Sequence, residues 1–128
     1  MSCRKWSEWK AYATSLMQKQ NVTIDEYTKC LDHANTLIIH LGNPSNRVYS
    51  VVCSLRAKLN ETNAWRSRVH DYFYQKENSK EGIEVDELTE LWEGFPSNGL
   101  MCEEYEWVGK LYQSVQNLEE EIRKEYEI

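Results

Sequence analysis

Residues 45–77 read SNRVYSVVCSLRAKLNETNAWRSRVHDYFYQKE, and this stretch decides the fold. Val48, Val52, Leu55, Leu59, Thr62, Trp65, Val69, Tyr72 and Phe73 recur at the three- and four-residue spacing of one helix face. No Gly or Pro interrupts them. Asn60, Thr62 and Asn63 in the middle are mediocre helix formers but not breakers, because each keeps its backbone N–H. The spacing therefore predicts one unbroken helix of about 33 residues, roughly 50 Å long.

A stripe of that length needs partners, and the flanking sequence supplies them. Upstream, Trp6, Trp9, Ala13, Leu16 and Met17 form the stripe of a first helix over residues 3–19. Thr23 and Glu26 have capping-box spacing, and Val22 and Tyr27 can staple across that cap. Tyr27, Cys30, Leu31, Ala34, Leu37, Ile38 and Leu41 then line one face of a second helix. Gly42 stands where a left-handed C-cap residue belongs, and Pro44 follows. Downstream, residues 75–81 read as a polar loop closing at Gly82. Asp86 is expected to cap a short helix carrying Leu88, Leu91 and Trp92, ended by Gly94 and Pro96. A last helix is expected over residues 100–126, burying Tyr105, Val108, Leu111, Tyr112, Val115, Leu118 and Ile122.

The two halves resemble each other. Val22-Thr23-Ile24-Asp25-Glu26-Tyr27-Thr28 matches Ile83-Glu84-Val85-Asp86-Glu87-Leu88-Thr89 at an offset of 61. Trp6 aligns with Trp65 at an offset of 59, and Val48, Val52, Leu55 and Leu59 align with Val108, Leu111, Val115 and Leu118 at 59 or 60. The expected architecture is one all-α module over residues 1–128, an elongated antiparallel helical bundle. Two three-helix units, 1–62 and 63–128, share the long central helix at about 45–77, because neither small unit can bury its stripes alone.

Composition agrees. The chain is 41% hydrophobic and 28% charged, with 5 Gly and 2 Pro, too little turn chemistry for a many-stranded fold. The 5 Trp and 8 Tyr suit wide-spaced knobs between long helices. No apolar run approaches the roughly 18 residues of a membrane span, and the start lacks a signal-peptide stretch, so an intracellular, soluble location is expected. Cys3, Cys30, Cys53 and Cys102 form no C-x-x-C pair and read as free thiols, mostly core fillers.

The search for chemistry returns no catalytic or metal-ligating set. His33, His40 and His70 are the only histidines, none in a metal-binding spacing. No nucleophile elbow, phosphate loop or dinucleotide fingerprint is present, so no cofactor is expected. Charge is the remaining signal. Residues 1–64 hold 8 Lys/Arg against 5 Asp/Glu, and residues 65–128 hold 7 against 16. An acidic half repels phosphates, which argues against direct nucleic-acid binding there; it reads either as a solvated, solubility-giving face or as a surface for a basic protein such as a histone. Glu103, Glu104, Glu106, Glu119, Glu120 and Glu121 are the candidate partner-binding acidic face. The first three also suit a helix N-terminal dipole, and the last three precede Arg123 and Lys124 on an exposed face.

The shared-helix arrangement resembles spectrin repeats. A closer resemblance lies in Trp9 to Ala13, Ile24-Asp25-Glu26-Tyr27 with Leu31 and Ala34, the long helix with Leu55, Leu59 and Trp65, then Val85-Asp86-Glu87-Leu88 and Phe95-Pro96. This pattern, over about residues 6–125, is similar to the helical PLU-type region of JARID-family histone lysine demethylases. That family's catalysis belongs to a jumonji fold holding Fe(II) and 2-oxoglutarate, and its ligands and zinc fingers have no counterpart here. Some fungal members have lost the iron ligands, so the resemblance does not imply an active parent. It implies a non-catalytic fragment that spaces reader fingers and docks protein subunits of a nuclear chromatin complex, histones among the candidates, with no membrane or small-molecule partner. A spectrin-like cytoskeletal or trafficking spacer is the first alternative. A helical ligand carrier or enzyme is the second, and it needs a polar group facing the apolar interior. If Asp86 is the cap, Asp86→Ala costs about 1 kcal/mol in a denaturation experiment.

Overall fold

The computed structural model describes residues 3–80 and 82–126, so Glu81, the last residue of the expected loop, lies outside the described residues. The protein is an all-α helical bundle of α1 (Trp6–Gln18), α2 (Ile24–Leu41), α3 (Asn46–Glu77), α4 (Val85–Glu93) and α5 (Glu103–Tyr126). Contacts group into two compact units, Met1–Thr62 with Asn98–Met101, and Asn63–Ser97 with Cys102–Ile128. The 32-residue α3 is unbroken and contributes to both.

In the first unit Trp9, Ala13, Leu16, Tyr27, Cys30, Ala34, Leu37, Val48, Val52 and Leu55 form one buried cluster. The Trp9 indole N–H donates to the Cys30 carbonyl at 2.9 Å. That carbonyl lies in the middle of α2, so the indole uses its second lone pair. The expected cap forms, with the Thr23 hydroxyl accepting from the Glu26 N–H at 3.2 Å, and both staple residues, Val22 and Tyr27, are buried in the cluster. Met17 and Leu41, expected on buried faces, are exposed. Each is the last apolar residue of its stripe, at the helix end where packing stops. Gly42 has φ +80° and ψ −171° rather than left-handed helical angles. This backbone region is open essentially to glycine alone.

The last helix begins at Glu103, not at Leu100. Asn98–Met101 instead leaves the turn at Asn98 outside any helix and belongs to the first unit. Met101 donates to the Val22 carbonyl at 2.8 Å and accepts from the Ile24 N–H at 3.2 Å, an isolated parallel bridge at the entry of α2. This places Leu100 in the first cluster, fully buried. Its N–H donates at 3.0 Å to the Thr62 hydroxyl, which itself donates to the Lys58 carbonyl at 3.1 Å. Burying Leu100 and satisfying these backbone groups outweighs one more helical turn.

The second unit packs Trp65, Val69, Leu88 and Val108 with half-buried Phe73, Leu91, Trp92, Phe95 and Tyr105. The Trp65 indole N–H donates to the Leu91 carbonyl at 2.8 Å, one of the last-turn carbonyls of α4 that lack a helical partner. Cys30 and Leu91 are 61 residues apart, the offset of the repeat. The structural counterpart of Trp65 is therefore Trp9, not Trp6. Trp6 is half-buried, edge-on to Trp9 with ring centroids 5.8 Å apart. Two tryptophans three residues apart share a helix face, so spacing alone does not choose between them.

The repeat also corrects the cap of α4. The helix starts at Val85 with Glu84 as N-cap, which makes no side-chain cap bond. Glu84 stands where Thr23 stands in the first unit, and Asp86 is an exposed first-turn residue. Leu118 and Ile122, expected buried, are 57% and 46% exposed. α4 has 9 residues where α2 has 18, so α5 outruns its partner. Gly109 is explained by the same packing, since a Cβ there would lie 2.8 Å from the Trp92 ring.

Trp9→Ala and Trp65→Ala should each cost about 3–5 kcal/mol in urea unfolding, and Trp6→Ala clearly less, which checks the register. Asp86→Ala should change stability by less than about 0.5 kcal/mol. Helix propensity alone makes Gly109→Ala stabilising by about 1 kcal/mol, but overpacking against Trp92 costs about 1–3 kcal/mol, so a lowered Tm is expected.

Candidate functional site

The six carboxylates singled out by the sequence all lie on α5, yet they do not form one face. Glu103 and Glu106 are exposed in the first turn. Glu119, Glu120 and Glu121 are exposed near the other end, about 24 Å away at 1.5 Å per residue. Consecutive residues point about 100° apart, so the triplet fans around the helix. Glu120 leans on Lys124 at 4.0 Å.

Glu104 departs from the expectation outright. It is 5% exposed, on the same face as Val108 one turn later. Its carboxylate accepts from Arg66 Nε at 2.9 Å and Arg66 Nη2 at 3.0 Å, and stands 3.1 Å from His70 Nε2. Arg66 Nη1 also donates to Asn63 Oδ1 at 3.1 Å. The forked contact with Arg66 holds the Glu104 carboxyl down at about 2, against the upward push of its burial. The N-terminal end of α5 favours the same negative charge. The carboxylate in turn raises the Arg66 guanidinium, first through that hydrogen bond. The second unit thus buries a charge and satisfies it, joining α3 to α5. A signal was present in the sequence: Glu104 is in phase with Val108 and Leu111, on the apolar stripe.

A groove of about 620 Å³ lies in the same unit, lined by Arg68, Tyr72, Gln75, Lys76, Glu87 and Glu90. Spacing did not anticipate it, because its walls come from α3 and α4. Lys76 and Glu87 close it with an ion pair at 3.2 Å. Burial, then the neighbouring Glu87, pushes the Tyr72 phenol up to about 12, and Lys76 holds the Glu87 carboxyl low.

The histidines do not converge. His33 Nε2 is 3.0 Å from the Cys3 carbonyl, His70 faces Glu104, and His40 is exposed. Among the described residues no group of three or more His, Cys, Asp or Glu is placed to hold a metal ion, and no helix is long and apolar enough to cross a membrane. All four cysteines are free; Cys30 is buried and its thiol is pushed up to about 11 by that burial, while Cys53 is exposed rather than a core filler. No protein-family model matches the chain, and no curated protein or solved structure is significantly similar to it.

The Glu104 pair gives a pH dependence whose sign is fixed. A carboxyl depressed from 4.5 to about 2 on folding contributes stability that is complete above pH 4.5 and is lost as pH falls towards 2. Glu104→Gln should cost about 2 kcal/mol at pH 7, less than a fully buried pair because Arg66 is partly exposed, and the penalty should vanish near pH 2. Urea unfolding of both proteins across that range checks it.

Proposed function

We propose that this chain is a non-catalytic scaffold and protein-interaction module of a nuclear, chromatin-modifying assembly. The observation that carries the scaffold reading is the indole-to-carbonyl anchor built twice, from Trp9 to Cys30 and from Trp65 to Leu91, at the same register of the repeat. Residue types that often do chemistry are engaged here in packing: the indoles hold neighbouring helices, and the buried carboxylate is matched by a guanidinium. A repeated, anchored unit suits spacing and docking.

The chromatin part rests on the resemblance of the Ile24-Asp25-Glu26-Tyr27 and Val85-Asp86-Glu87-Leu88 helix starts, with Phe95-Pro96, to the helical region of JARID-type demethylases. Partners on this reading are protein subunits of the assembly, with histones fitting the acidic second half. Nucleic acid is not a direct partner, because 16 acidic against 7 basic residues over 65–128 repel phosphate. A second reading, a spectrin-like spacer, draws support from the unbroken α3.

A tagged pull-down from nuclear extract at moderate salt separates them. Histone-modifying subunits or finger-containing chromatin proteins are the expected enrichment. Enrichment of actin, coat or motor proteins instead would favour the spectrin-like spacer.

A further inference from the structure

The apolar stripe of α5 changes environment along its length. Val108 is fully buried, and Leu111 and Val115 are half-buried against the second core. Leu118, Ile122 and Tyr126 continue the same face but are 57%, 46% and 85% exposed. At 100° per residue, 118, 122 and 126 stay within a narrow sector of the helix. Glu119 borders that sector on one side and Glu121 and Glu125 on the other, while Glu120 and Lys124 pair on the far face. Among the described residues of this end of α5, Arg123 is a cation further round on the Glu119 side.

We propose that Leu118, Ile122 and Tyr126 form a docking stripe for a basic amphipathic helix of a partner protein. The occupant presents apolar residues at i, i+3 or i+4, and i+7, flanked by Lys or Arg. Charge complementarity selects it over a second copy of this chain. Antiparallel pairing of two α5 helices about Leu118 and Ile122 sets Glu119 against Glu119 and Glu121 against Glu121, and like charges along a helix seam oppose association. A fourth helix of the chain's own repeat is also disfavoured. The first helix of each unit carries an anchoring Trp, and the corresponding turn of α5 holds Lys124 and Glu125. The stripe has the form of a helix-in-groove anchor set. This inference rests on the interaction-module reading and names the surface and partner chemistry for it.

The test titrates the full chain into two fluorescent designed helical peptides. Both carry the same Leu pattern, one flanked by Lys and the other by Glu. The Lys peptide should bind saturably, and the Glu peptide at least tenfold more weakly. Leu118→Asp with Ile122→Asp should weaken Lys-peptide binding at least tenfold with helix content unchanged. Glu119→Gln, Glu121→Gln and Glu125→Gln together should weaken it and flatten its salt dependence. Failure of the Lys peptide to bind, or equal binding by the Asp variant, overturns the proposal. So does a dimer in sedimentation that the Asp variant abolishes, which would make a second copy the occupant. A failed peptide titration beside a successful nuclear pull-down removes the stripe and leaves the scaffold reading, because the pull-down presents the whole chain and the peptides probe only the stripe.

Discussion

Burying an indole in a small helical core forces a choice on its N–H: it finds an acceptor, or it carries the full cost of desolvation. Here each unit resolves that choice in the same way. Trp9 reaches a carbonyl of α2 and Trp65 a carbonyl of α4, at positions 61 residues apart. A hydrogen bond of fixed length from a rigid ring sets how far two helices separate and which turn faces which. Tyr27 and Leu88 then fill matching buried positions, also 61 apart. The two clusters are built outward from these anchors.

The units differ where the anchor is the same. The first has a long second helix, a satisfied cap and an extended plug, Leu100, held by paired backbone groups and the Thr62 hydroxyl. The second has a helix half as long, no side-chain cap and a core with fewer fully buried residues. It compensates with close-packed, mutually tilted aromatic rings, Trp92 beside Tyr105 at 4.8 Å and Phe95 beside Tyr105 at 4.4 Å between centroids, and with the Arg66–Glu104 pair. A shorter α4 also leaves the end of α5 uncovered, so the apolar stripe on which a partner is proposed follows from the economy of the second unit.

Much of this was legible from residue spacing. The all-α class, the unbroken α3 and most buried positions of α2 and α3 follow from periodicity, because residues three and four apart share a helix face, and the Thr23 cap follows from its spacing to Glu26. The Asp-Glu-x-Thr match between the halves also carried the correct start of α4, since Glu84 aligns with the capping Thr23. Reading Asp86 as the cap set local residue preference above that register, and register won. At the candidate site, the phase of Glu104 with Val108 and Leu111 marked its face, but not the Arg66 partner that lets a charge be buried there.

The sequence by itself determined the helices, their apolar faces and the doubling of the unit, since these depend on intervals along one chain. Only the tertiary structure decided which tryptophan is the anchor, that Leu100 leaves the last helix, and that Glu104 meets Arg66. It also decided that Gly109 makes room for Trp92. Each of these depends on a group 17 or more residues away, as with Trp92 and Gly109, or Arg66 and Glu104. A distance in space between two helices is not an interval in sequence, and the partner's position is what turns an apolar or charged residue into a buried, paired or exposed one.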